Sequence, residues 1–236
     1  MLPRALVSWS TGKDSAWALH EARCAVEVVG LLTVVTPEGQ VSMHGIRHSL
    51  LDRQVAELGL PCIRVPLPWP CPNDLYEAEM RGRLLQARAQ GVTHLVFGDI
   101  WLRDVRDYRE RQLAALGMQG VFPLWQRDTA ALARQMIAAG LEAVISCVDP
   151  RRLPPTLAGR RLDAALLAEL PPEVDPCGER GEFHTFVTAG PMFRRPIPVR
   201  VGPTLHRDGF VWADLALAQD PPEPGGVDPA AGSRYI

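Results

Sequence analysis

Short β-branched runs alternate with helix-periodic segments through the first half of this chain, and that alternation restricts the fold more than any other feature. "ALVSW" (Ala5 to Trp9), "VVGLLTVVT" (Val28 to Thr36), "CIRVPL" (Cys62 to Leu67) and "HLVFGDI" (His94 to Ile100) read as strands. Between them the period changes. A helix is expected from Lys13. "HSLLDRQVAELGLP" carries Leu50, Leu51, Val55 and Leu58 at helical spacing before Gly59 and Pro61 stop it, Asn73 to Gln90 ends at Gly91, and a further helix covers Asp104 to Leu116. The run at Val28 is apolar almost throughout, as suits a strand covered on both faces. Strand and helix in alternation, joined by short loops, imply a parallel sheet with right-handed crossovers. Ligands of such a sheet bind at the carboxyl ends of its strands. That edge collects Ser10 to Ser15, the segment after Thr36, and Gly98–Asp99.

The pattern changes near Gly120. "DTAALARQMIAAG" (Asp128 to Gly140) is a helix with Asp128 or Thr129 as N-cap, "EAVISCV" a strand, and "RLDAALLAEL" a short helix ahead of Pro171 and Pro172. "GEFHTFVTAGP" and "RPIPVRVG" read as strands paired with each other. The expected fold class is therefore α/β: a doubly wound, Rossmann-like parallel sheet over residues 1–120, followed by a smaller C-terminal α/β substrate domain over 121–218. The stretch 219–236, rich in Pro, Gly and Asp, is expected to be a disordered tail.

Composition excludes several function classes. The 236 residues are 47% hydrophobic and 22% charged, ordinary for a globular protein. Net charge is −2, which offers no electrostatic attraction to a long nucleic acid. No apolar run reaches the roughly 18 residues of a membrane span. Ser10 to Ser15 interrupts the early apolar run, so no signal peptide is expected. The five cysteines, Cys24, Cys62, Cys71, Cys147 and Cys177, form no C-x-x-C pair, which suits a reduced, cytoplasmic chain without structural zinc.

"SWSTGKDSAWAL" places Ser10-Thr11-Gly12-Lys13-Asp14-Ser15 at a strand-to-helix junction. Backbone amides and the helix dipole make such a junction an anion site. Gly12 lets the backbone come close, Ser10, Thr11 and Ser15 add hydroxyls, and Lys13 adds a cation. The mononucleotide P-loop pattern fails, since Val7 stands at its first glycine and Asp14 at its Ser/Thr. What remains suits a pyrophosphate-sized anion, with Asp14 able to hold Mg²⁺ against it. The bland alternative is that Asp14 and Ser15 only cap a helix.

These residues resemble the S-G-G-K-D-S loop of the PP-loop ATP pyrophosphatases, with Thr11 where the loop usually carries Gly. "HGIR" (His44 to Arg47), "LLDRQVAELGLP", "FGDI" (Phe97 to Ile100), "YRERQLAALGM", "FPLW" (Phe122 to Trp125) and "DPCGERGEFHTFV" (Asp175 to Val187) resemble the diphthine–ammonia ligase-related branch, over about Ala5 to Asp214. The resemblance implies an ATP-dependent, AMP- and pyrophosphate-forming ligase. It activates a carboxylate, on a small molecule or a protein side chain, for amidation by ammonia. Ser10, Thr11, Gly12, Lys13, Asp14 and Ser15 would hold the phosphates, His44 the adenosine, and Gly98 and Asp99 the same crevice, with ATP and Mg²⁺ as cofactors. Lys13 and Asp14 are catalytic in this reading, and Asp14 is the metal ligand.

"CGERGEFHT" supplies Glu179, Glu182 and His184 as substrate residues, with Glu182 and His184 also catalytic. On a strand from Gly181 to Val187, Glu182 and His184 share a face. The residues alone fit equally a solvated acidic turn leading into an edge strand. The diphthine enzymes carry Glu where this chain has His184; "EFHT" resembles a bacterial subgroup associated with corrinoid salvage, so a corrinoid-related acceptor is expected in place of diphthine. Histidine there would titrate near neutral pH. Tyr108 and Arg111, from the charged stretch "RDVRDYRER", are assigned to the substrate crevice, against the alternative of a solvated helix face. His20 and His94 read as structural and Cys147 as a buried strand residue. Cys177 is a nucleophile or ligand in a minority reading, while Trp69 and Trp125 either stack on a ligand or pack. A homodimer is allowed. The rival functions are a tRNA-modifying PP-loop enzyme and a non-catalytic ATP- or AMP-binding regulator.

Overall fold

The computed structural model describes residues 1–37, 40–41, 45–68 and 70–221. The sequence readings of His44, Trp69 and nearly all of the tail fall outside these residues. In chain order the elements are β1 (Arg4–Ser8), α1 (Lys13–Ala22), β2 (Glu27–Val35), β3 (Gln40–Val41), β4 (Ile46–Arg47), α2 (His48–Leu58), β5 (Cys62–Pro66), α3 (Asn73–Ala89), β6 (His94–Val96), α4 (Arg103–Ala114), β7 (Gln119–Val121), α5 (Thr129–Ala138), β8 (Glu142–Val148), α6 (Ala164–Glu169), β9 (Phe183–Ala189), β10 (Val199–Arg207) and β11 (Phe210–Leu217).

The first sheet is built on parallel pairings of β5 with β2, β2 with β1, β1 with β6, and β6 with β7. The short antiparallel ribbon β3–β4 continues from the end of β2. The apolar run at Val28 accounts for β2, which lies between β1 and β5 and is buried along most of its length. Local chemistry fixes the helix ends. Gly59 takes a left-handed conformation after α2 (φ 64°), Asp128 caps α5 by accepting from the Ala131 amide at 2.6 Å, and Asp163 caps α6 through Leu166.

The second sheet is antiparallel, in the order β10-β11-β8-β9. β9 pairs with β8 and β10 with β11, so the expected partnership of β9 with β10 is corrected. The hairpin at Asp208–Gly209, with both residues at positive φ, turns β10 into β11 and gives it a nearer partner. The strand expected to reach Ile100 stops at Val96, and Gly98 just beyond it lies against the Asp14 backbone at the start of α1.

Two apolar clusters flank the first sheet. One holds Leu6, Leu32, Val65, Leu84, Leu95 and Leu113 beneath α3 and α4. The other runs from Val7, Trp17 and Leu50 into Leu132, Val144 and Phe186 of the second sheet. The two sheets thus share one core on the α1–α2 side, and this shared core brings β9 against the start of α1. Among the described residues no helix is long and apolar enough to cross a membrane.

Candidate active site

The loop after β1 turns sharply. Thr11 has φ 70°, a region that glycine enters freely and a β-branched residue rarely. The loop therefore keeps the bend that its usual Gly would give, with the strain carried by threonine. Its closure explains why the bend persists. The Thr11 carbonyl accepts from the Val187 amide of β9 (3.0 Å) and from Gln54 Nε2 of α2 (3.1 Å). Gln54, fully buried, also donates to the Val187 carbonyl at 2.8 Å and accepts the Trp9 indole N–H at 3.0 Å. The Lys13 amide donates to Thr185 Oγ1 at 3.1 Å. Two distant segments, β9 and α2, therefore hold one bend.

Gly12 is the N-cap of α1 and has no side chain to cap it, and the Lys13 amide is taken up by Thr185 from β9, so the helix is not capped by Asp14 or Ser15. Ser15 Oγ instead donates to the Gly12 carbonyl and lies 3.1 Å from Ser10 Oγ, bracing the loop. Gly98 faces this same backbone. A Cβ there would lie 2.7 Å from the Asp14 carbonyl carbon, so what Gly98 makes room for is the first turn of α1.

Lys13 is buried. Its Nζ donates to Asp14 Oδ2 at 2.8 Å and to the Cys177 carbonyl, with the Phe183 ring centroid 5.4 Å away. Burial works against its charge, but Asp14, Cys177 and Glu179 outweigh that and hold the ammonium above its ordinary value. Burial pushes the Asp14 carboxyl up, with Lys13 opposing and Asp175 adding. Asp99 is raised likewise by burial, with Arg109 opposing and Asp14 adding. Asp14 Oδ1 and Asp99 Oδ2 are both buried without a hydrogen-bond partner among the described residues, although Arg109 Nε lies 3.2 Å from the latter. No group of three metal-binding side chains converges among the described residues. An ion here would therefore need oxygens from a ligand besides a carboxylate, the usual situation of Mg²⁺ on phosphates.

The second-half residues behave differently from expectation. Glu179 Oε1 accepts the amides of Ile100 (2.9 Å) and Trp101 (3.0 Å), which ties its loop to the end of β6. Burial raises its carboxyl, those amides oppose, and Asp14 adds. Glu182 precedes β9 and is fully buried. Its oxygens accept the amides of Asp175 (3.2 Å) and Arg180 (2.9 Å). Expected on a strand face shared with His184, Glu182 lies just ahead of the strand and its carboxylate braces its own turn, which is not the solvated turn of the alternative reading. His184, half-buried on β9, is pulled down to about 4 by burial and by Lys13, so it is neutral at neutral pH rather than titrating there. Burial pushes the Cys177 thiol up to about 12, with Lys13 opposing, which disfavours its thiolate at neutral pH.

Tyr108 donates to Glu77 Oε1 on α3 at 3.0 Å, and its phenol is pushed up to about 12 by burial and Glu77. Arg111 is exposed. The arginine of this helix that reaches the crevice is Arg109, paired with Asp99 and 4.3 Å from the Phe97 ring centroid. Trp125 packs, with the Arg106 guanidinium 4.6 Å from both its ring and that of Phe122. Sequence reasoning missed Arg109 and Gln54. For Gln54 a signal existed: it sits midway between Leu50 and Leu58 on the apolar stripe of α2, where a polar side chain needs a buried partner.

Comparison with known proteins agrees with this geometry. Residues 3–120 match the profile described as diphthamide synthase N-terminal domain, and residues 128–212 that of the diphthamide synthase C-terminal domain. Several proteins named diphthine–ammonia ligase are similar along most of their length. The one from Bos taurus is 28% identical over 232 residues (88% of this chain, 86% of the relative). The one from Danio rerio is 28% identical over 225 residues (84% and 88%), and the human one 28% over 232 residues (88% and 86%).

Proposed function

The chain belongs to the diphthamide synthase family, ATP-dependent amide ligases of the PP-loop type, and from that premise we propose how its own residues carry the reaction. ATP lies along the carboxyl ends of β1, β2 and β6, with its β- and γ-phosphates in the loop Ser10–Ser15. A carboxylate oxygen of the acceptor attacks the α-phosphorus, the bond to the bridging oxygen breaks, and pyrophosphate leaves. Ammonia then attacks the acyl carbon, the bond to AMP breaks, and the nitrogen gives up a proton.

Uncapped amides at the start of α1 stabilise the charge on the leaving pyrophosphate, and Lys13 joins them when a phosphate oxygen replaces the Cys177 carbonyl as its acceptor. Such donors are commonly worth a few kcal/mol each. Asp14, with Asp99 beside it, would hold Mg²⁺, which when bound spreads the same charge. The fit rests on their carboxylate oxygens that have no hydrogen-bond partner. His184, neutral and within the field of Lys13, is the β9 residue assigned to the acceptor. A cytoplasmic location suits this chemistry.

The observation that carries the reading is the strained, uncapped loop with Lys13 and Asp14 set against Asp99. The test is product analysis with labelled ATP, ammonium and a panel of carboxylates. A corrinoid-derived acid, motivated by His184 alone, is included beside a diphthine-bearing protein. AMP and pyrophosphate are expected, falling at least tenfold in Lys13→Ala, about 1.4 kcal/mol of barrier. ADP and phosphate, or no nucleotide turnover with any acid, would overturn the proposal.

A further inference from the structure

A cavity of about 470 Å³ opens beyond the nucleotide crevice, lined by Asp149, Arg151, Arg152, Arg180, Gly181 and Phe210. Its charges do not cancel. Arg151 is spent on Asp149, with Nε and Nη2 at 2.8 and 2.9 Å from the two carboxylate oxygens. Arg152 stands 3.9 Å from Asp149 and 3.6 Å from Glu182, beyond good hydrogen-bonding distance from either. Glu182 is already satisfied by two backbone amides. Arg180 is exposed, and its guanidinium has no ion pair or hydrogen bond among the described residues. The Arg180 guanidinium is thus available above the needs of the fold, and that of Arg152 is held only by long ion pairs; both lie beside the half-buried ring of Phe210. Gly181 adds no bulk: a Cβ built on it would meet nothing within 4 Å.

The position matters as much as the charge. Arg180 and Gly181 belong to the same loop as Cys177, whose carbonyl sits on Lys13, and Glu179, which is tied to the end of β6. Three residue steps separate Cys177 from Arg180, so their Cα atoms lie at most about 11 Å apart even when fully extended. An extended ligand of about nine bonds would span that distance.

We propose that this cavity is a carboxylate site that holds a second acid group of the acceptor, so that the substrate is a compound with at least two carboxylates. One is activated at the nucleotide. The other pairs with Arg180 and Arg152, whose planar donor forks match a carboxylate, while the carbon skeleton rests on Phe210. The word acceptor rests on the ligase reading; the site itself rests on the guanidinium groups.

The experiment is calorimetric titration of the full chain with glutarate, its neutral diamide, inorganic phosphate and ATP, on the wild type, Arg180→Glu and Lys13→Ala. Glutarate should bind saturably, more weakly as salt rises, and the diamide should not bind. Arg180→Glu should weaken glutarate at least tenfold and leave ATP unchanged; because the side chain is exposed, the fold should survive, which circular dichroism checks. Lys13→Ala should leave glutarate binding in place, which separates this site from the pyrophosphate loop. Three results would overturn the proposal: no saturable glutarate binding, glutarate binding indifferent to Arg180→Glu, or phosphate binding tighter than glutarate with the same dependence on Arg180. If glutarate binds as expected while no acid supports AMP formation, the ligase reading fails and the anion site stands.

Discussion

Ser10–Ser15 leaves polar groups without partners, whereas Asp175–Glu182 engages its carboxylates almost completely. In the first loop, Thr11 Oγ1 and Asp14 Oδ1 are buried with no hydrogen-bond partner among the described residues, Thr11 is left-handed, and the N-cap of the helix that follows is a glycine without a capping side chain. In the second, Asp175 accepts from the Cys177 amide and the Thr129 hydroxyl, Glu179 from two amides, and Glu182 from two more. Both loops are rich in residues that can do chemistry, and they meet at Lys13. Strain and missing partners are tolerated where a ligand will supply what is lacking. Carboxylates already spent on backbone amides form the frame around such a place. Richness in acidic residues does not separate the two cases; the state of each oxygen does.

The sharpest way to break this contrast is Glu182→Ala. It orphans two part-buried amides and removes the nearest carboxylate from Arg152, and should cost about 2–4 kcal/mol in urea denaturation. A loss well under 1 kcal/mol would mean that Glu182 is reserved for chemistry. Next comes Glu179. Alanine there frees the Ile100 and Trp101 amides and should cost about 1–3 kcal/mol. Glu179→Gln should be close to neutral, because one oxygen, Oε1, accepts both bonds. Should the Gln variant keep its stability and lose turnover, Glu179 would move to the reactive side of the comparison.

A smaller effect concerns acid. His184 is held to about 4 in the folded protein and sits near 6.5 when unfolded. Above pH 6.5 both states are neutral and nothing is lost. Between 6.5 and about 4 the unfolded chain takes up the proton first, so stability falls with pH, by about 1 kcal/mol at pH 6, and levels off below 4. His184→Gln should remove this part of the acid sensitivity, read as a flatter plot of denaturation midpoint against pH. The smallest change expected is a gain. Thr11→Gly relieves the left-handed strain and deletes an unpartnered hydroxyl, against the lost methyl and the entropy of glycine, for a net stabilisation of up to about 1 kcal/mol. A raised melting temperature with intact ATP binding would sharpen the contrast, and a lowered one would show that the threonine packs better than its backbone suffers.

Much of this was legible in the residues because it is local. Ser10 to Ser15 are contiguous, and their loop needs only a strand before and a helix after. β8 matches "EAVISCV" from end to end, and Asp128 caps α5 as its position suggests. What stayed hidden depends on distance or rotation. The pairing of β9 with β8 joins strands across α6 and a long loop, and no local pattern states it. Whether Tyr108, Arg109 or Arg111 meets the crevice is a matter of how α4 is rotated on the sheet, and each step along a helix turns a side chain by about 100°. The backbone amides that consume Glu179 and Glu182 carry no residue code at all. Gln54 was readable from its place among leucines, but only its partners say what it does.

The hydrogen bonds that finish the bend at Thr11 have a consequence in time. Lys13 and Thr185 are bonded across 172 positions of chain. At ordinary rates of synthesis the ribosome needs roughly 10 to 30 s to travel between them. Throughout that interval the nascent chain carries its complete nucleotide motif but lacks the strand that fastens it. The bend set by Ser10 to Ser15 is therefore completed only when β9, far along the chain, has been made.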